Sequence, residues 1–458
     1  MLYRKIEEKL QLWEKGKKAL LVYGARQVGK TTSIKDFCQR HFANVAAINF
    51  TNDARALNLL LEIKNLEEFN RVLSLLFGFE PKKGDTDFLD EIQYYYEMWE
   101  EEEKRHPGFK REHVDILTLA KNVVERNEYR LILSGSMLGV SVFGVNLNPT
   151  GFVEELTMYP LDFEEFLLAL STPKNVIEEA RESFASNRPM PEELNDMLIR
   201  RFREYTIIGG MPEAVEAYVE TKDMRYVSAA HRGVLSWYRR DIIKYAPADS
   251  RLIISSMFEA LPSEISAQNK KFVKSHMDVP NFKNLELRER FLWLQSAGIA
   301  IPTYNVDAPK SPLKAAANHK VVKLFSNDVG LLVNQLFDGD VQLGLIEEKS
   351  GYDFGAIYEN AVAELLVAHG FSPYFHSNKK GGEIDFLVEK NRTAIPIEIK
   401  SGAGGERHIY EHKALDHLLE SRSDLRESFV FGNTNVFSES KRIKNYPIYM
   451  IEFLKRKD

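Results

Sequence analysis

A chain of 458 residues with 44% hydrophobic composition is long enough for two or three separately folded cores at about 100–200 residues each. Its formal net charge of -6 excludes a surface that coats nucleic acid throughout, so any nucleic-acid site has to be a local patch. The single cysteine, Cys38, excludes an intramolecular disulfide framework and a thiolate zinc site, and it suits a reducing, cytoplasmic setting.

The first residues, MLYRKIEEKLQLWEKGKK, are charged throughout and lack the apolar stretch of about 7–15 residues that a signal peptide needs. Ile6, Leu10 and Trp13, at spacings of four and three, predict an amphipathic helix. ALLVYG, TTSIKDFCQRHF, VAAINF, a helical stretch and YRLILSG then alternate, which predicts βαβ units on a parallel sheet over residues 1–159. The acidic run Glu100–Glu103 and the Pro107-Gly108 pair read as a solvated excursion between strands. The apolar-leaning run from Leu131 to Val145 is broken by Ser134, Gly135, Ser136, Gly139, Ser141 and Gly144 and is too short to span a bilayer. No membrane association is expected.

From Pro160 the pattern turns helical, and LDFEEFLLAL and ELNDMLIRRFREYTIIGGMPEAVEAYVE predict a helical lid over residues 160–225. Residues 226–340 continue helical to RERFLWLQSAGIAIPTYNV, where a helix stops at Gly298 and a β-branched run follows, the pattern of a winged helix-turn-helix. An α/β pattern returns over residues 341–458.

Gly24, Ala25, Arg26, Gln27, Val28, Gly29, Lys30 and Thr31 fit the phosphate-binding pattern G-x-x-x-x-G-K-[ST], placed after an apolar strand and before a helix. Gly24 and Gly29 let backbone N–H groups approach phosphate oxygens, Lys30 reaches the β and γ phosphates, and the Thr31 hydroxyl ligates magnesium. Arg26 and Thr32 complete the expected cradle for ATP. A carboxylate pair has to follow at a strand end, and Asp90 and Glu91 in TDFLDEIQ supply it: Asp90 for the magnesium shell, Glu91 as the base that activates water. Asp85 and Asp87 interrupt the preceding strand, so a short strand carried by Phe88 and Leu89 is expected, and with it slow hydrolysis. Ser134, ending YRLILSGS, is placed to sense the γ phosphate or simply to form a turn.

A second constellation lies near the carboxy terminus. EIDFLVEK and AIPIEIK read as alternating strands about a turn at Lys390–Arg392, with Asp385 and Glu398 on them and Glu398 and Lys400 on one face. Two carboxylates and an ammonium can hold magnesium and steady a phosphorane. From residue 351 onward 15 Lys and Arg oppose 16 Asp and Glu, so no strong basic footprint is expected there. His408, His412 and His417, at helical spacings of four and five, could mimic a metal pair but read better as a solvated face; Asn269, Lys270, Lys271 and Lys274, beside the winged-helix segment, could meet phosphates, although most such runs are solvated.

GARQVGKTT, LDEIQ, ILSGS, MYPLDFEEFL, GGMPEAV, EIDFLVEK and IPIEIKSG, in this order, resemble prokaryotic AAA-type ATPases related to the STAND class that carry a C-terminal domain of unknown function. The resemblance implies that Gly210 and Pro212 in the GGMP turn lie beside the adenine. It implies an arginine supplied in trans within a homo-oligomer, for which Arg239 and Arg240 are the candidates. The last domain is similar to a PD-(D/E)xK nuclease core, with Asp385, Glu398 and Lys400 on its motif and Glu359 on its first-helix acid. The expected fold is thus a multidomain α/β chain: a P-loop NTPase sheet with a helical lid, a winged-helix middle and a restriction-endonuclease-like end. The expected activity is an ATP-driven switch on the nuclease-like module. Its rivals are a magnesium-dependent DNA or RNA nuclease gated by ATP and a non-catalytic nucleotide-sensing interaction protein.

Overall fold

Alternating apolar runs in the first third assemble into a five-stranded sheet of order β2-β3-β4-β1-β5, with every pairing parallel. The strands are β1 (Ala19–Gly24), β2 (Val45–Asn49), β3 (Thr86–Asp90), β4 (Arg130–Ser136) and β5 (Val153–Met158). The computed structural model describes residues 2–136, 151–266, 271–272, 287–337, 354–378, 381–400 and 412–456. It divides into two compact units, one chiefly of residues 4–159 and the other chiefly of residues 160–458. Among the described residues, no helix is long and apolar enough to cross a membrane.

In the amino-terminal unit β4 lies between β1 and β3, which brings the ends of three strands to one edge of the sheet. The strand delivering Asp90 is not the two-residue remnant expected: β3 runs through five residues, all buried, and pairs on both sides. Its acids are accommodated individually. Asp85 accepts from Asn44 Nδ2 at 2.9 Å and from the Lys82 N–H at 3.1 Å. Asp87 is wholly buried, and neither of its oxygens has a hydrogen-bond partner among the described residues. Burial, and then the charge of Asp85, push its carboxyl well above the usual range, so it enters the sheet as a neutral acid.

The expected excursion after Gln93 is likewise structured, as helices Ile92–Arg105, Phe109–Glu112 and Ile116–Arg126. Tyr95 stacks on Trp99 with centroids 5.6 Å apart, and Trp99 meets Phe109 edge-on at 5.0 Å. The glutamate run lies on the outer side of the first helix, where Glu100 pairs with Lys110 at 2.5 Å. These helices cover the sheet and share its core.

The carboxy-terminal unit is built on an eight-stranded mixed sheet of order β12-β13-β11-β10-β9-β8-β6-β7. Strands β6 (Ala300–Val306) and β7 (Ala317–Ser326) form a hairpin, its first strand lying where a β-branched run was expected to follow the helix stop at Gly298. That hairpin is no separate module, because β6 pairs in parallel with β8 (Tyr374–Asn378) through Tyr304/Tyr374 and Asn305/Phe375. The sheet therefore crosses the boundary expected at residues 340/341 and continues through β9 (Gly382–Lys390), β10 (Thr393–Lys400), β11 (Ser428–Gly432), β12 (Phe437–Ser438) and β13 (Ile443–Pro447). The stretch expected as a lid is packed into this same unit. Tyr205, in helix Glu192–Ile208, donates to Glu364 Oε1 at 2.9 Å, and the Phe163 N–H donates to Glu452 Oε2 at 3.2 Å.

Asp87 makes stability depend on pH in a direction fixed by its raised folded value. Above about pH 4 the unfolded chain releases this proton while the folded unit keeps it, so the contribution of Asp87 to stability falls as pH rises. Asp87→Asn removes that slope; chemical denaturation of the wild type and variant at a series of pH values from about 4 to 8, read as the difference between the two, checks it.

Candidate functional site

The phosphate loop is shaped by two backbone constraints. Gln27 and Gly29 take left-handed conformations, with φ of 62° and 94°, and turn the chain from β1 into helix Lys30–His41. Gly29 caps that helix without any side-chain hydrogen bond, so its first N–H groups stay available to an anion, where the helix dipole adds to them. A Cβ at Gly24 would stand 2.2 Å from the Met158 carbonyl, so this glycine is required by the close approach of β5 as well as by the loop.

Lys30 is buried, and its Nζ donates to the carbonyls of Gly24 at 3.1 Å and Ala25 at 2.9 Å. Burial pulls its ammonium down to about 8, against the opposing fields of Glu91 and Asp90. The Thr31 hydroxyl donates to Asp90 Oδ2 at 2.8 Å, and Asn49 Nδ2 donates to the same oxygen at 2.8 Å. Ser134 donates to Asp90 Oδ1. This bond holds the serine, read from the sequence as either a phosphate sensor or a turn former, against the carboxylate. Thr31 and Asp90 fit magnesium: a hydroxyl and a carboxylate oxygen already adjacent, beside a loop open to phosphates. Thr32, beside Thr31, is exposed.

Glu91 follows in a left-handed conformation, φ 58°, at the start of helix Ile92–Arg105. A non-glycine residue held there stores backbone strain of the kind that gathers at active sites. Gln93 Nε2 donates to Glu91 Oε2, and Arg26 Nη1 lies 4.0 Å from the same oxygen. The loop, both acids, Arg26 and Ser134 are therefore one cluster. Asn49 and Gln93 were missed because neither falls in the motif; the signal was their place at the end of one strand and just after another.

Gly210 and Pro212 lie in the other unit. The Gly210 N–H donates to Asp328 Oδ2 at 2.6 Å, its carbonyl accepts from the Leu161 N–H at 2.7 Å, and a Cβ there would meet Leu161 O at 2.1 Å. Pro212 is the first residue of helix Pro212–Thr221, where its missing N–H costs nothing. Arg239 pairs with Glu259 at 2.7 Å, and Arg240 lies over the Trp237 ring at 5.0 Å.

Strands β9 and β10 form the expected hairpin, turning at Asn391 and Arg392, both with positive φ. Asp385 and Glu398 sit one step beyond the paired Phe386 and Ile397, on the same face. Asp385 Oδ2 accepts the Ile399 N–H at 2.8 Å, Lys400 Nζ donates to Glu398 Oε1 at 3.0 Å, and Glu398 Oε2 is buried with no hydrogen-bond partner among the described residues. Burial pushes both carboxyls up, and for Asp385 the neighbouring Glu398 is the next cause. Two carboxylates and an orphaned oxygen fit a divalent cation. Glu359, in helix Gly355–Ala368, is buried nearby and adds its field to both.

Lys323, which belongs to no motif, complicates this set. Its side chain, 1% exposed, reaches from β7 to within 2.7 Å of Glu383 Oε1 and 3.4 Å of Glu359 Oε2. Lys271, 3.5 Å from Glu383 and 2.7 Å from Ser377 Oγ, is a partly buried ion-pair partner rather than a fully solvated lysine. Asn269, Lys270 and Lys274 lie outside the described residues. His412 is buried, 3.3 Å from Glu439 and 3.8 Å from Asp416 one helical turn on, where a solvated face was expected. His417 is exposed as expected, and His408 lies outside the described residues.

Residues 16–167 match the family model of an AAA domain. The amino-terminal unit carries an AAA-type P-loop ATPase domain. Residues 199–341 match a domain of unknown function, DUF8612, and residues 354–450 match another, DUF4143. No curated protein matches the chain. Among solved structures, it is similar to the Walker-type ATPase PABY2304 of Pyrococcus abyssi, with 14% identity, 73% of this chain and 96% of that chain covered, and a TM-score of 0.42. It is also similar to the Aeropyrum pernix Orc1 protein in complex with DNA (14% identity, 74% and 93% covered, TM-score 0.26). A third similarity is to the Thermotoga maritima RuvB Holliday junction branch migration motor (13% identity, 68% and 91% covered, TM-score 0.28). At these TM-scores the likenesses carry nothing further about this chain.

Removing the Lys323 ammonium takes the buried cation away from both Glu359 and Glu383. Lys323→Met is expected to destabilise the carboxy-terminal unit by about 3–5 kcal/mol; urea unfolding followed by circular dichroism measures it.

Proposed function

We propose that this chain binds ATP with magnesium at the P-loop, hydrolyses it, and uses the nucleotide state to set the condition of its carboxy-terminal unit. The observation that carries the first part is the Asp90 carboxylate, fixed by Thr31, Asn49 and Ser134 beside the buried Lys30. In this reading Lys30 neutralises the β and γ phosphates, Thr31 and Asp90 hold the metal, Arg26 steadies the phosphate side, and Glu91 takes the proton of the attacking water. Gln93 and Arg26, both against Glu91, restrain that base until nucleotide draws Arg26 away. The Gly210 N–H and carbonyl are taken up by Asp328 and Leu161 within the carboxy-terminal unit. Arg239, engaged by Glu259, would have to exchange that partner to act on a neighbouring subunit's nucleotide.

A second reading, a magnesium-dependent nuclease gated by ATP, is favoured by one feature: the unpartnered Glu398 oxygen on the face shared with Asp385 and Lys400. Asp385 and Glu398 would hold the metal and Lys400 would steady the phosphorane. Lys323 and Lys271, by balancing Glu359 and Glu383, leave Asp385 and Glu398 as the metal pair.

Calorimetry with ATP and magnesium tests the main reading. Lys30→Ala should weaken binding by about 10- to 100-fold, the loss of a charge-assisted hydrogen bond set; unchanged affinity sinks it. For the nuclease reading, single- and double-stranded DNA and RNA are incubated with wild type and Asp385→Asn, with and without ATP. Cutting by the wild type alone supports it, and no cutting in any combination leaves a binding platform.

A further inference from the structure

Three segments far apart in sequence meet in the carboxy-terminal unit: the start of helix Phe163–Ala169, the end of helix Gly355–Ala368, and the 3-10 turn Ile448–Phe453. They bring Asp162, His369 and Glu452 together, and one ligand atom from each lies within 4.8 Å of the others. The cluster is interior: the side chains of His369 and Glu452 are 3% and 1% exposed. His369 Nε2 is 3.5 Å from Glu452 Oε1, and neither of its ring nitrogens has a hydrogen-bond partner among the described residues. A buried imidazole with two unpaired nitrogens is costly and points to an occupant.

The carboxylates are held in place by backbone. Asp162 Oδ1 accepts the Glu165 N–H at 2.9 Å within a capping box, and Glu452 Oε2 accepts the Phe163 N–H at 3.2 Å. Such supporting bonds orient metal ligands. Lys455 Nζ, 3.1 Å from Glu452 Oε1, sits on a 27% exposed side chain that can swing away.

We propose that Asp162, His369 and Glu452 bind a divalent first-row cation of the zinc class, which clips the carboxy-terminal segment to the two helices. One imidazole nitrogen and two carboxylate oxygens suit zinc, whose bonds to them are about 2.0–2.2 Å, so the ligand atoms close by roughly 1 Å on binding. A clip across residues so distant in sequence adds the binding free energy to folding. The competing occupant is a proton, leaving an imidazolium between the two acids.

The test uses the full chain stripped with chelator and titrated with zinc, without nucleotide. Expected are one zinc per chain by elemental analysis after desalting, a rise in thermal midpoint, and a cobalt spectrum with d–d bands displaced by zinc. His369→Gln abolishes all three while circular dichroism stays native. Asp162→Asn, which keeps the helix cap, weakens binding if His369→Gln fails to fold. Asp385→Asn with Glu398→Gln leaves this zinc bound, separating it from the other carboxylate pair. No zinc retained by the wild type, or equal retention by Asp162→Asn and His369→Gln, overturns the proposal in favour of the imidazolium.

Discussion

The amino-terminal unit depends on one constraint: a carboxylate, Asp90, has to be held at the end of a fully buried parallel strand, one strand removed from the loop it serves. Asp90 itself has no exposed surface, and its oxygens are taken by Thr31 from the phosphate-loop helix, Asn49 from β2 and Ser134 from β4. This is possible only because β4 lies between β1 and β3. The strand order therefore comes before the chemistry. It places three hydrogen-bond donors around one acid and leaves the next residue, Glu91, to turn out of the strand in a left-handed conformation. The interior placement of Lys30, pulled down to about 8 by burial, adds a cation that gains most by meeting phosphate.

Local pattern made the phosphate loop, the Asp90–Glu91 pair and the Asp385–Glu398–Lys400 hairpin legible, because each is set by residues close in sequence. What escaped was set by partners distant in sequence. Asn49 acts through a neighbouring strand end, and Lys323 reaches Glu383 from sixty residues away, across the domain boundary expected at residues 340/341. The strand β3 misled for another reason: Asp87 reads as a charge on paper, while burial in the sheet makes it a neutral acid. The helices after Gln93 were hidden by four consecutive glutamates, although Tyr95, Tyr96 and Trp99 keep helical spacing on the opposite side.

Charge compensation organises the carboxy-terminal unit as well. Glu359 and Glu383 are balanced by Lys323 and Lys271, while Asp385 and Glu398 face each other with Lys400 beside them. The less compensated pair is where a divalent ion gains most, and the compensated pair stabilises the sheet around it. The GGMP turn has a similar structural share: Asp328 binds Gly210 and caps its own helix through Leu331, fixing helix Glu192–Ile208 against helix Val329–Leu336. That acid is itself raised to about 6 by burial, so the clamp is built from a group near its own titration range.

The proposed role of Glu91 as the base of an ATPase, with Asp90 as its proposed metal carboxylate, is tested most directly by paired calorimetry and phosphate-release kinetics on Glu91→Gln. ATP affinity close to that of the wild type, with phosphate release lowered by about 10²- to 10⁴-fold, is the predicted result. Phosphate release at the wild-type rate, with affinity retained, would contradict it.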